Sequence, residues 1–228
     1  MKRRLLSLTA ITLALAVVTA VEAQNNRRTV RDDARAAGMR VIRADRTAPS
    51  PEGTGIIRYD PGSPDGVRFA SGGFAFLGND FDSQNGTPLS PGTISGFSWY
   101  HGPSTTKGNY ASFLIVPSTG ASPIMGNVTG ISTYATNAVV FSSPISVQPP
   151  FFVGVAVPPP PAENRGQGSF DQIGFNTQST NSQGFHGSQR TFSGGGLGGR
   201  APITNQNISL RASGNVAIPV ELLEFEIE

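Results

Sequence analysis

Seven consecutive residues without a polar side chain, Phe151 to Val157 (FFVGVAV), stand between Pro149-Pro150 and the run Pro158 to Pro161. Proline removes a backbone donor and clashes with the preceding turn, so prolines on both sides leave room for less than two turns of helix. A short apolar run rich in β-branched and aromatic residues, bounded in this way, reads as a strand buried on both faces. Alternation then points Phe151, Val153, Val155 and Val157 one way, and Phe152, Gly154 and Ala156 the other. The rest of the chain must supply strands on both flanks and apolar cover above and below.

From Ile56 onward the sequence offers such partners, separated by turn residues at intervals of about ten. Ile56–Tyr59 and Val67–Leu77 come first, the latter with a bend at Gly72-Gly73; a loop, GNDFDSQNGTPLSPG, follows. Thr93–Tyr100 carries Ile94, Phe97 and Trp99, and Gly96 is placed to make a bulge that resets the alternation. Tyr110–Val116, Val128–Tyr134, Ala138–Phe141 and Ile145–Val147 lead into FFVGVAV. PPPPAENRGQGS reads as a stiff excursion. Phe170–Asn176 resumes, Phe185 and Phe192 belong to a hairpin or loop pair, SGGGLGGR reads as flexible, and Asn207–Ala212 alternates again. No fixed-period repeat is visible, which argues against solenoids and propellers. The expected fold is all-β: a single, jelly-roll-like antiparallel β-sandwich over residues 56–228.

All 14 Phe lie after residue 68, so the body has the bulk to fold despite 28 Gly and 18 Pro. Ahead of it, Lys2, Arg3 and Arg4 precede the apolar run Leu5–Val18, and Val21-Glu22-Ala23 fits a signal-peptidase site. Residues 1–23 are therefore expected to be a cleaved signal for bacterial export, the product being extracellular or at the cell surface. Residues 24–55 are expected to form a flexible basic tail, with the run from Val30 to Val41 at most transiently helical. There is no cysteine, so an exported body of this size must be held by its core rather than by disulfides. Without Lys2, Arg3, Arg4 and Glu22, the 17 basic and 15 acidic residues become 14 of each. Residues 24–60 carry eight Arg against five acids, and residues 61–228 carry six basic and nine acidic side chains. A neutral mature chain gives no electrostatic reason to bind nucleic acid. After cleavage no remaining apolar run is long enough for a membrane-spanning helix.

In IPVELLEFEIE, Leu223, Phe225 and Ile227 alternate with Glu224, Glu226 and Glu228, as in a last strand with one face on a core and charges that discourage edge pairing. Together with GTISGFSWYHG, ASFLIV and FFVGVAV, this Pro-Val-Glu-Leu type ending resembles secreted bacterial jelly-roll-like β-sandwich proteins. The resemblance implies a fold and an exported setting, and no activity.

The chemistry-bearing residues are few. His101 and His186 are the two histidines, and no serine sits in a Gly-x-Ser-x-Gly elbow, although Ser188 lies near His186. Asp80, Asp82 and Asp171 are carboxylates on β-loops that nothing selects for glycoside cleavage. The expectation is a non-catalytic protein, with a hydrolase as the remote alternative. No cofactor is implied, and calcium is the one metal for which a site can be drawn. Asp80, Asp82 and Asn85 offer three oxygens ahead of Gly86, although an Asx-rich turn explains the same residues more simply. For ligands, Tyr100, His101 and Tyr110 could stack on and hydrogen-bond a sugar, with Trp99 expected in the core. The sequence thus points to a structural, adhesive or surface-assembly role. A carbohydrate-binding module is the alternative, and the partners are an extracellular glycan or neighbouring copies joined by strand pairing.

Overall fold

The computed structural model describes residues 40–45, 55–68, 75–103, 110–157, 172–179, 184–193 and 196–216. The expected signal sequence, most of the basic tail, the proline-rich excursion and the IPVELLEFEIE strand lie outside them. The strands run, in order, β1 (Arg40–Asp45), β2 (Gly55–Ile57), β3 (Gly66–Arg68), β4 (Ala75–Phe81), β5 (Ser83–Gln84) and β6 (Thr87–Pro88). Next come β7 (Gly92–His101), β8 (Tyr110–Val116), β9 (Ile124–Thr129), β10 (Ala135–Val147) and β11 (Phe151–Val157). Last are β12 (Ile173–Asn176), β13 (Gly187–Ser193), β14 (Gly196–Pro202), β15 (Asn207–Ile208) and β16 (Leu210–Val216). There is no helix among the described residues, and the protein is an all-β sandwich of antiparallel sheets.

The first sheet runs β14-β13-β4-β11-β8-β9. FFVGVAV is β11, with the limits and alternation its composition dictates, and it pairs antiparallel with β4 on one side and β8 on the other. Phe151, Val153 and Val155 face the space between the sheets, whereas Phe152 and Ala156 belong to a second apolar cluster on the sheet's far side. At roughly 1.5–3 kcal/mol for each large side chain taken out of water, this one strand is a main contributor to stability. Gly154 is needed where it stands, because a Cβ there would fall 2.4 Å from the tip of the Phe152 ring, which lies across it.

In the second sheet β7 is central. β10 covers one flank; β16 covers most of the other, and β12 takes over at His101. β2 extends β16, while β3 and β15 pair with β12. Both neighbours of β7 skip Ser95: Gly96 pairs with Val140 and Ser213, and Ile94 with Ile145 and Gly214. This bulge beside Gly96 resets the alternation, so Ile94, Phe97 and Trp99 all point inward. Trp99 is 1% exposed, as expected of core, and Phe97 meets Phe113 of the first sheet edge-on at 5.1 Å. Asn79 of β4 crosses the same interior. Its amide donates to the carbonyls of Ile208 and Leu210 at 2.8 and 2.9 Å and accepts from Ile208 N at 3.2 Å, tying the sheets by a side chain that behaves like backbone.

Three expectations are corrected. Arg40–Asp45, placed by its sequence in a flexible tail, is a strand: Arg40–Arg43 run parallel to Ile124–Asn127 of β9, and Ala44 and Asp45 pair with β10. β1 therefore passes from one sheet to the other. The glycine run read as flexible supplies β14, held against β13 by five register pairs because glycine does not hinder backbone pairing. Gly78–Phe81, assigned to a loop, continue β4, and the turn falls later at Asn85-Gly86. There φ is 51° and 84°, the paired positive values of the two-residue hairpin joining β5 to β6.

Candidate functional site

On β7 the side chains between the inward ones point away from the first sheet. Tyr100 is in register with Thr136 of β10, and Ser98 with Arg211 of β16. These four, with Arg58, Ser209 and the turn Gly62-Ser63-Pro64, line an open cleft of about 510 Å³ on the outer face of the second sheet. The cleft is polar apart from the Tyr100 ring, Pro64 and Trp99 at its floor.

Its walls are fixed by long-range contacts. The Arg211 guanidinium donates from Nε to both carboxylate oxygens of Asp60, at 3.2 and 3.1 Å, and from Nη2 to Asp60 Oδ1 and to the carbonyl of Gly62 at 3.0 Å. Asp60 is fully buried, and it also accepts from Gly62 N at 3.2 Å, which shapes the turn. The hydrogen bonds to Asp60 raise the Arg211 pKa further above its ordinary value, against the opposing effect of burial. On the adjoining side Asn176 donates to Ser63 O at 2.7 Å, and Asp65 accepts from the amide and hydroxyl of Thr177 at 2.7 and 2.8 Å. Those two bonds hold the Asp65 carboxyl below its usual pKa. Gly174 lets the site close up: a Cβ there would lie 2.9 Å from both Tyr100 Cδ1 and Pro64 Cβ. The tyrosine ring is thus held against the β12 backbone, half-buried.

Of the three residues expected to bind a sugar, the cleft contains Tyr100 alone. His101 has the opposite orientation. It is 1% exposed, beside Trp99, whose indole Nε1 donates to His101 Nδ1 at 3.4 Å, because alternation after the bulge turns it inward. Tyr110 opens β8 on the first sheet, in register with Thr129, and so stands on the other sheet from Tyr100. Sequence spacing missed Arg58, Arg211, Ser98 and Thr136. Only alternation, which turns Tyr100 outward once Trp99 is expected in the core, carries any signal, and it also adds Ser98.

Asp80, Asp82 and Asn85 do not form one donor set. Asp80, on the outer face of β4 and nearly buried, meets Arg200 at 2.9 Å and Arg190 at 3.6 Å. Asp82 accepts from Ser83 Oγ at 2.7 Å and lies 3.3 Å from His186 Nδ1. Asn85 is a turn residue. Among the described residues no three His, Cys, Asp or Glu side chains gather as metal ligands. His186 stacks on Tyr59 with ring centroids 4.0 Å apart, and the Tyr59 hydroxyl accepts from the amides of Asp82 and Ser83 at 3.0 and 3.3 Å. Burial lowers the His186 pKa, partly offset by the charges of Asp82 and Asp80, and burial raises that of Tyr59. Ser188 is fully buried, so its hydroxyl is not presented to solvent. No helix among the described residues is long and apolar enough to cross a membrane. Neither a protein-family model nor a curated protein matches this chain.

Proposed function

We propose that this is a secreted, non-catalytic, adhesive β-sandwich that works outside the cell by holding a glycan against the outer face of its second sheet. The observation that carries this reading is the cleft around Tyr100. It offers an aromatic face fixed by packing on Gly174, the Ser98 and Thr136 hydroxyls beside it, and a rim of ordered backbone at Gly62-Ser63-Pro64. Sugar rings present apolar faces edged by hydroxyls, and that combination suits them. Glycan-array screening followed by titration tests it. A bound oligosaccharide should lose roughly three- to tenfold in affinity in Tyr100→Ala, the worth of one aromatic contact. Absence of any glycan binding at millimolar concentration, with Tyr100→Ala altering nothing, would end the reading.

Assembly with neighbouring copies by strand pairing is the second reading, favoured by β14, which pairs on one side only among the described residues. Arg200 and Pro202 on that strand oppose it, since both discourage edge-to-edge pairing. Elution of the mature chain as a monomer across a wide concentration range would count against assembly.

A further inference from the structure

We propose that the ligand of the Tyr100 cleft is an anionic saccharide, one bearing a carboxylate or a sulfate ester, and that Arg58 is the residue that selects it. The proposal rests on the glycan reading above and adds the ligand's charge. Two guanidinium groups line the cleft, and they are not equivalent. Arg211 is neutralised by the buried Asp60 carboxylate, and its Nε and Nη2 donors are committed to that carboxylate and to the carbonyl of Gly62. Arg58 follows the edge strand β2, is exposed, and uses only its backbone amide, which donates to Gln84 Oε1 at 3.1 Å. Its guanidinium has no hydrogen bond or ion pair with any described residue. None of the residues lining the cleft is acidic.

The cleft therefore holds one uncompensated positive charge beside an aromatic face and two hydroxyls. A neutral sugar would leave that charge to water. A guanidinium fork matches the two oxygens of a carboxylate or a sulfate, and such charge-assisted hydrogen bonds are shorter and stronger than neutral ones. Arg211 then acts on the wall's shape, and Arg58 on the ligand.

The test is calorimetric titration of the full mature chain at low salt with three oligosaccharides of equal length: oligogalacturonate, its methyl ester, and a sulfated counterpart. The free acid or the sulfated oligomer should bind about tenfold more tightly than the neutral ester, the effect of one charge-assisted hydrogen bond. Which of the two is preferred identifies the anion. Raising the salt to 0.5 M should shrink the difference. Arg58→Gln should abolish the preference, weakening the anionic oligomers about tenfold and the ester by less, with the melting temperature unchanged, and Arg58→Lys should keep part of the preference. Tyr100→Ala should weaken all three oligomers together. If the ester binds as tightly as both anionic forms, or Arg58→Gln retains the preference, the charge assignment is overturned and the glycan site survives. If none of the three binds and no glycan on the array does either, both fall; if an array glycan binds and these three do not, the charge assignment alone is overturned.

Discussion

The two sheets of this sandwich treat their outer faces in opposite ways. In the first sheet every described residue of β4, β11 and β8 that has a side chain in view is buried, on both faces. The far side carries Phe76, Leu114, Val116, Met125, Phe152 and Ala156, with Leu197 packed against them and the Arg190 guanidinium 5.1 Å above the Phe152 ring. In the second sheet β10 alternates from Thr136 to Phe141, with Asn137, Val139 and Phe141 buried and Thr136 and Ala138 exposed. A strand buried twice spends all its side chains on packing, whereas one buried once has half of them free for a ligand. That difference places the candidate site on the second sheet and the bulk of the stability in the first.

The sharpest way to break the comparison is to truncate one outward residue of each sheet. Phe152→Ala should cost about 3–5 kcal/mol, as for other buried aromatics, since the ring fills the space left by Gly154 and sits under Arg190. Thr136→Ala, on the exposed face, should stay within about 0.5 kcal/mol. Urea melts of both variants measure this directly; similar midpoints would show that the two outer faces are not as different as their burial implies.

A smaller effect should come from the junction between the sheets, where His186 stacks on Tyr59. Burial lowers its folded pKa, so the folded state favours neutral imidazole while the unfolded chain still titrates near 6.5. Below that pH the unfolded state binds the extra proton first, and its share of stability is lost as the pH falls from about 6.5 towards the lowered folded value. The Asp82 and Asp80 carboxylates reduce the shift and Arg200 adds to it, so the loss should be modest. His186→Gln should flatten the stability profile in that window; an unchanged slope would assign it to other groups.

How much of this was written in the sequence depends on the range of the interaction. FFVGVAV, ASFLIV with its tyrosine, the Gly96 bulge and buried Trp99 all follow from nearest-neighbour alternation, and the fold has them where the residues demand. The β14 strand was misread because glycines carry no side-chain pattern, and pairing with β13 is fixed by backbone alone. β1 was misread because its partners, β9 and β10, lie some eighty residues or more further on. The cleft was legible only at Tyr100. Its wall depends on Asp60 meeting Arg211 across 151 positions, and no local spacing signals such a pair. His101 was misplaced for a simpler reason: one more step of the alternation that turned Tyr100 outward turns its neighbour in.

The smallest expected effect concerns calcium and the sealed side of the molecule. The carboxylates that suggested a cation site are already engaged. Asp80 faces two arginines, Asp82 lies between the Ser83 hydroxyl and His186, and Asn85 holds a positive φ in a hairpin turn. To bind calcium the loop would have to abandon these contacts. A cation held only by the folded state at a hundredfold excess over its Kd adds about 2.7 kcal/mol. For a chain of this length that raises the melting temperature by roughly 5–10 °C. Addition of chelator, or of millimolar calcium after chelation, should instead leave the melting temperature within about 1 °C, well below the shift of a saturated site. A rise of several degrees with calcium, lost in Asp82→Asn, would mean that the end of β4 rearranges around an ion, and the contrast between a sealed outer face and an open one would no longer hold there.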